Sequence, residues 1–147
     1  MSRRFFTLDV FADTALAGMT TTTLADVRTA LNRVHALGPK VILVTSLLTE
    51  ETPDDSIDLA ASDATGLYRM RTPRLAHSVN GAGDAIAALF NLHWKRSGSA
   101  AEAMAEAGAS VYGLLKRTAD AGSREILTVE AQDEFVSPSQ RFAIEKL

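Results

Sequence analysis

The sequence contains no cysteine, and this absence excludes disulfide bonds and thiolate metal sites. Its three histidines lie far apart, at positions 35, 77 and 93, which is not the spacing of a histidine metal site. No apolar run approaches the roughly 18 to 20 residues needed to cross a bilayer, and no small-residue cleavage site follows an N-terminal apolar core. We therefore expect a cytoplasmic protein without disulfides.

The sequence also lacks a dominant charge of either sign. Fifteen basic and eighteen acidic residues give a formal net charge of −3, and neither sign forms a long block. We therefore expect neither a nucleic-acid nor a membrane partner. A length of 147 residues with 46% hydrophobic content suits one globular domain with a real core.

A helix followed by a buried strand is the clearest pattern in the first third of the chain. The helix is predicted between the threonine run at residues 20–23 and Gly38-Pro39. Its apolar positions share one face: Leu24, Val27, Leu31 and Val34. Residues 40–46 then form a continuous apolar and β-branched run, typical of a strand covered on both faces. This order indicates α/β layering.

Later segments add a hairpin and more helices. Residues 56–60 and 66–71 alternate apolar with polar side chains around a turn-rich stretch, which predicts an antiparallel hairpin. Helices are predicted around residues 86–93 and 104–114, with a helix-like piece at 126–131 and a short helix or frayed segment at 1–15. The expected fold is α/β, a partial three-layer arrangement with helices flanking a mostly parallel sheet and one antiparallel hairpin.

The most informative segment for chemistry is residues 78–84, Ser-Val-Asn-Gly-Ala-Gly-Asp, between the hairpin and an apolar helix. Its two glycines allow a sharp turn and close approach to a ligand, and the amides at the helix start can bind a phosphate. Asp84, in the first helical turn, is placed to accept a proton from an attacking hydroxyl. The alternative is structural, because such turns are common and an aspartate is favoured there for capping and for its interaction with the helix dipole.

These residues carry a family resemblance. Residues 80–90 (Asn-Gly-Ala-Gly-Asp-Ala-Ile-Ala-Ala-Leu-Phe) are similar to the anion-hole signature and helix of the ribokinase-like superfamily, and residues 41–46 resemble its nucleotide-side strand. Residues 115–118 and 125–132 resemble the late helices that help to wall the adenine pocket. From about Leu16 to the C-terminus, the chain therefore resembles the second half of a bacterial pyridoxal kinase. This resemblance implies a ribokinase-like fold.

The resemblance implies an ATP-dependent kinase in which Mg²⁺ bridges the phosphates. It assigns Asp84 as the base that contacts and activates the 5′-hydroxyl of pyridoxal, and it assigns Gly81, Ala82 and Gly83 to the phosphoryl charge. The residues implied to contact the nucleotide are Thr45, Ser46, Arg69, Arg71, Thr72 and Asn80. For the strand-end hydroxyls the alternative is a loop cap, and for the arginines it is a solvated charged strand.

One departure from the family divides the chain. Residues 1–15 do not match the family's pattern, whereas residues 16–147 resemble the C-terminal half of a kinase domain, so we expect a shortened form with impaired activity alone. Two alternatives stay open. The first is a non-catalytic nucleotide-binding or dimerising remnant, for which a homodimer would cover the exposed surface. The second is a related hydroxymethylpyrimidine or sugar kinase, since the glycine motif is shared across the superfamily.

Overall fold

A computed structural model describes residues 5–9, 18–76 and 79–147, with side chains described from residue 18 onward. The elements in this part of the chain are β1 (Phe5–Asp9), α1 (Leu24–Ala36), β2 (Val41–Leu47), β3 (Ser56–Asp63), β4 (Gly66–Pro73), α2 (Ala82–Ser97), α3 (Ala100–Asp120), a 3₁₀ turn (Gln132–Phe135) and β5 (Ile144–Lys146). The strands form one five-stranded sheet in the order β1-β2-β3-β4-β5.

Helices cover both faces of this sheet, which confirms the predicted α/β class and its three layers. Side chains of β2 alternate between two cores, as expected for a strand buried on both faces. Val41 and Leu43 pack with residues of α2 and α3, whereas Ile42 and Val44 pack with the apolar face of α1. The predicted helix and buried strand are thus confirmed, and the helix ends just before Gly38-Pro39.

The expectation of a mostly parallel sheet is wrong for the described residues. Only β1 and β2 pair in parallel, and the pairs β2–β3, β3–β4 and β4–β5 are antiparallel. A parallel return requires a crossover of about a dozen residues or more, usually a helix. The connections 48–55 and 64–65 contain no helix, so each returns the chain in the opposite direction. The predicted antiparallel hairpin, β3–β4, is confirmed.

Two local predictions were also wrong. Residues 5–9, within the segment expected to be a short helix or frayed, form β1, because they pair with the distant strand β2. The rest of residues 1–15 lies outside the described residues. The predicted helix-like piece at 126–131 is a series of turns before the 3₁₀ helix. There the Thr128 amide donates to the Ile126 carbonyl two residues back, instead of to a carbonyl one full α-helical turn earlier.

The start of α3 is attached to the hairpin turn by Asp63. One carboxylate oxygen of Asp63 accepts a hydrogen bond from the Ala100 amide at 2.9 Å, and the other accepts from the amide and hydroxyl of Thr65. Burial alone would raise the pKa of Asp63, but these hydrogen bonds outweigh it and hold that pKa below its ordinary value. Within the part of the chain that the structure describes, no helix has the length and apolar character to span a bilayer.

Candidate functional site

A cleft of about 390 Å³ opens between the end of β2, the hairpin and the two helices α2 and α3. Its polar lining consists of hydroxyl-bearing residues and the glycine loop: Thr45, Ser46, Thr72, Asn80, Gly81, Ala82 and Gly83. The remaining lining residues, which we call the apolar wall, are mostly apolar: Ile57, Leu59, Val79, Ile86, Gly108, Val111, Tyr112 and Leu115. A cleft with an apolar wall and a few convergent polar groups is the usual form of a small-molecule site.

The glycine loop begins α2 with a left-handed residue. Gly81 has φ of 94°, a conformation that favours glycine, and a Cβ at this position would lie 3.1 Å from Cγ2 of Ile126, which would have to shift slightly. A Cβ on Gly83 would meet nothing within 4 Å, which leaves open space beside the backbone. The first intrahelical bond runs from the Ala85 amide to the Gly81 carbonyl. The amides of the first turn therefore have no partner within the helix and are available to an anion.

Asp84 lies in the first turn of α2, next to Gly83, and its side chain is exposed. Asp26 occupies the corresponding position of α1, where its carboxylate accepts hydrogen bonds from the Thr22 and Thr23 amides. Those bonds, chiefly with Thr23, lower the pKa of Asp26. No described residue makes a hydrogen bond or ion pair with the Asp84 carboxylate. Among the described residues Asp84 is therefore not a capping residue, whereas its favourable position at the positive end of the helix dipole is retained.

Ser46 shows backbone strain at the edge of the cleft. Its φ is 55°, the only positive value for a non-glycine residue in the described ranges, and the β2–β3 register is irregular between Val44 and Leu47. A residue other than glycine is rarely left-handed, and such strain concentrates at ligand sites. The distortion places Ser46 in the cleft lining beside Thr45 at the end of β2. Ligand crevices in α/β sheets lie at such strand ends.

The structure places Arg69 and Arg71 away from this cleft. Side chains alternate along β4, so that Thr72 lines the cleft while the two arginines lie on the opposite face of the sheet. Arg71 donates hydrogen bonds of 2.7 and 2.9 Å to Asp58, whose side chain is fully buried, and this pairing raises the pKa of Arg71. Arg69 forms ion pairs with two glutamates, Glu51 and Glu145.

The apolar wall contains residues that sequence reasoning missed. Gly108 lies inside α3, and a Cβ there would collide with the Met70 side chain, so the glycine allows α3 to approach the sheet closely. A glycine inside a helix costs about 1 kcal/mol relative to alanine, and this unfavourable placement was a usable signal. Tyr112 completes the wall and makes an edge-to-face contact with Phe142, with ring centroids 4.9 Å apart. Of the apolar wall, only Leu115, Val79 and Ile86 lie in segments that were assigned to the site from the sequence.

The predicted motif is therefore partly assembled in one place. Around the cleft the structure brings together Thr45, Ser46, Thr72, Asn80, Gly81, Ala82 and Gly83. Asp84 follows Gly83 in the chain but is not itself among the residues that line the cleft. Ser78, the first residue of the motif, lies outside the described residues. Among the side chains that the structure describes, no group of three or more His, Asp or Glu residues could hold a metal ion. We therefore assign no residue of this chain to Mg²⁺.

The sequence model of the phosphomethylpyrimidine kinase family matches residues 5–129. The chain belongs to the phosphomethylpyrimidine kinase family. It is 51% identical over 131 residues to the pyridoxal kinase PdxY of Granulibacter bethesdensis, a match that covers 86% of this chain and 46% of that protein. The resemblance to pyridoxal kinases inferred from the sequence is thereby confirmed. The chain spans about half the length of the curated relatives it matches.

Solved structures related to the phosphomethylpyrimidine kinase family have the same fold. A putative phosphomethylpyrimidine kinase from Bacteroides thetaiotaomicron matches with a TM-score of 0.81 at 15% identity, over 98% of this chain and 51% of that one. The pyridoxal kinase of Leishmania donovani in complex with ADP matches with a TM-score of 0.74 at 24% identity, over 87% of this chain and 45% of that one. These matches confirm a ribokinase-like fold, of which the chain corresponds to about half.

Proposed function

We propose that this chain carries the ATP-binding and catalytic-base part of a pyridoxal kinase, which transfers a phosphoryl group from ATP to the 5′-hydroxyl of pyridoxal in the cytoplasm. The observation that carries the proposal is the arrangement at the start of α2. Unpartnered helix amides line the cleft, and the next side chain along the helix is the uncommitted Asp84 carboxylate. The PdxY relative at 51% identity supports pyridoxal as the acceptor.

The polar and apolar lining residues of the cleft suit the two ends of a nucleotide. The apolar wall, with Tyr112 and Leu115 from α3, offers a surface for the base, as the relation to an ADP-bound kinase suggests. The hydroxyls of Thr45, Ser46 and Thr72 and the amides of Ala82 and Gly83 are the groups from which phosphates would accept hydrogen bonds. Fixed donors of this kind stabilise the charge on the phosphoryl group during transfer without having to reorganise.

Asp84 would act on the acceptor alcohol. As the 5′-oxygen attacks the terminal phosphorus, the O–H proton passes to the Asp84 carboxylate, the new P–O bond forms and the bond to the ADP oxygen breaks. The carboxylate is suited to this role because no described residue engages it. Mg²⁺ usually binds through substrate phosphates and one or two carboxylates, so we propose that it enters with ATP.

The chain alone should be a poor catalyst. Alignment of two substrates is worth roughly 7 to 11 kcal/mol of the barrier. The chain matches only about half of each relative, so the part that aligns the vitamer is not identified in it. We therefore expect ATP binding to be robust and turnover to be low, and pairing with a second chain, including a homodimer, would raise turnover if it completes the acceptor site.

The Asp84→Asn variant tests the proposal. The amide has the same shape but cannot take a proton, so turnover should fall by about 100-fold or more while the Kd for ATP changes little. ATP is titrated by calorimetry with and without pyridoxal, and product formation is followed by absorbance. Asp120→Asn, in the last turn of α3, is the matched control and should leave both values unchanged.

Two outcomes would contradict parts of this proposal. Turnover that is equal in the wild type and the Asp84→Asn variant would remove Asp84 as the base. ATP binding by a wild-type chain that never forms product, even with excess pyridoxal and Mg²⁺, would favour the non-catalytic nucleotide-binding remnant.

A hydroxymethylpyrimidine kinase is the second candidate, because the matching family is described as phosphomethylpyrimidine kinase and one structural neighbour carries that name. The cleft does not distinguish the acceptors, since its assigned residues serve the nucleotide. A panel of pyridoxal, hydroxymethylpyrimidine and ribose, compared by kcat/KM, decides between the vitamer kinase and its relatives. A preference for either of the other two alcohols over pyridoxal would contradict the pyridoxal assignment.

A further inference from the structure

The segment 123–127, which follows α3 and which we call the brace, lies alongside the glycine loop. Asn80 and Glu125 form an isolated parallel β-bridge. The Asn80 amide donates to the Arg124 carbonyl at 3.1 Å, and the Asn80 side-chain amide donates to the Glu125 carboxylate at 3.2 Å. The residue directly before the left-handed Gly81 is thus attached to the brace by both its backbone and its side chain.

Ile126 of the brace also lies beside the glycine loop. Its Cγ2 atom is 3.1 Å from the position that a Cβ on Gly81 would occupy. A side chain at position 81 would therefore press on the brace. Gly81, where the chain enters α2, thus lies between Ile126 and the open cleft.

The brace is in turn anchored to α3 by Thr118. This side chain is fully buried, its hydroxyl donates to the Leu114 carbonyl at 2.7 Å, and it accepts from the Leu127 amide at 3.1 Å. The Thr118 carbonyl accepts from the Ser123 amide at 3.2 Å. A threonine that bonds back to its own helix is common, but here the second bond attaches the far end of the brace.

Within the brace, the Ser123 side chain forms hydrogen bonds with the backbone of Glu125. Its hydroxyl donates to the Glu125 carbonyl at 2.8 Å and accepts from the Glu125 amide at 3.2 Å. Thr118 therefore holds the brace at both ends, through its carbonyl at Ser123 and through its hydroxyl at Leu127. The buried hydroxyl of α3 is connected to Asn80 through the short covalent segment from Leu127 back to Glu125 and Arg124.

We propose that Thr118 is a positioning residue for the anion-binding loop: through the brace, it sets the geometry of Asn80 and Gly81 and hence the direction of the first amides of α2. The assignment rests on the proposed function in so far as that loop holds phosphates. Thr118 does not line the cleft and touches no reacting atom, so its effect on ligand binding is indirect. The effect should be confined to the phosphate end of the nucleotide.

Hydrogen exchange in the ligand-free chain tests the mechanical part of the proposal. Thr118→Val keeps the shape but removes the hydroxyl, whereas Thr118→Ser keeps the hydroxyl. The Asn80 amide should exchange about tenfold faster in the valine variant and near the wild-type rate in the serine variant, because local opening governs exchange. The Leu43 amide, in the buried β2, should exchange alike in all three chains.

A second variant covers the case in which the valine variant fails to fold. Ser123 is half-buried, and Ser123→Ala removes the hydrogen bonds within the brace without changing α3. It should also accelerate exchange of the Asn80 amide while leaving Leu43 unchanged. Wild-type protection of Asn80 in whichever of the two variants folds would overturn the role of the brace.

Binding of ATP compared with adenosine tests the functional part. Thr118→Val should weaken ATP by about tenfold and adenosine by less than about twofold, since only ATP uses the loop amides. Equal weakening of both ligands, or unchanged ATP affinity, would overturn the positioning role. A wild-type chain that binds no ATP would count against the proposed function instead, and the exchange experiment would still decide whether Thr118 positions the loop.

Discussion

Two residues at the cleft have left-handed backbones for different reasons. Gly81 adopts a conformation that suits glycine, and the space beside it is closed by Ile126. Ser46 adopts a similar conformation without the freedom of glycine, at the site where the sheet register is irregular. Folding alone would favour glycine at position 46, so a serine there suggests that its hydroxyl is used by a ligand.

The Ser46→Gly variant separates these two requirements. Relief of the left-handed strain offsets the greater chain entropy of glycine, so the free energy of unfolding should stay level or rise by up to about 1 kcal/mol. Loss of the hydroxyl should weaken ATP by about 3-fold to 10-fold, the value of one hydrogen bond. Urea denaturation and calorimetric titration measure the two effects.

Ser137→Gly is the matched control for Ser46→Gly, because Ser137 is exposed in a turn and has no positive φ. It should lower stability slightly and leave ATP binding unchanged. A Ser46→Gly variant that is less stable and binds ATP normally would show that Ser46 is retained for the fold.

At the scale of elements, local signals were sufficient for some features and insufficient for others. The capped helix α1, the buried strand β2 and the glycine loop depend on neighbouring residues, and the sequence predicted all three. Strand β1 depends on pairing with β2, more than thirty residues away, and its own periodicity is weak. The antiparallel direction of the β2–β3 and β3–β4 pairs likewise follows from connections that lack a helix, which a strand's own sequence does not reveal.

The position and the ion-pair partners of the two arginines in β4 were the least predictable feature of the site. Arg71 meets Asp58 across the hairpin, and such a partner follows from the register of two strands. Period-two alternation does indicate that Thr72 faces away from Arg69 and Arg71. It does not show which face carries the cleft, since that depends on where α2 and α3 pack. The assignment of the two arginines to the nucleotide stays a prediction that their ion pairs do not favour.

The attachment of the hairpin turn to α3 should depend on pH through Asp63. Its pKa is depressed in the folded chain, so its contribution to stability is present above the ordinary value of 3.8 and is lost as the pH falls through the folded value. Asp63→Asn should therefore destabilise the chain near neutral pH, and the difference from wild type should shrink below that ordinary value. Urea denaturation across the acidic range measures it.

Thr65→Val provides the intermediate case for Asp63, because it removes one of the hydrogen bonds that lower the pKa. Its pH dependence should lie between those of the wild type and of Asp63→Asn. Parallel stability curves for all three chains at every pH would contradict a role for the Asp63 charge.

At the scale of the whole molecule, the cleft lies between the sheet and the helical layer. Its lining comes from β2, β3, β4, the glycine loop, α2 and α3, so that residues far apart in sequence meet only in the folded chain. The site is therefore lost when the chain unfolds. Because only the folded chain can bind the ligand, binding should raise the free energy of unfolding by an amount set by the ligand concentration and its Kd.

ATP should raise the free energy of unfolding by an amount that depends on its free concentration relative to its Kd. At a free concentration of about 100 times its Kd, ATP should raise the free energy of unfolding by about 2.7 kcal/mol, because the unfolded chain has no site. Asp84→Asn should show the same increase, since the carboxylate acts on the acceptor, and Lys95→Ala, at the far end of α2, should also be unchanged. Chemical denaturation at several ATP concentrations gives the slope. An increase that does not follow the independently measured Kd would mean that ATP also binds the unfolded chain or occupies more than one site.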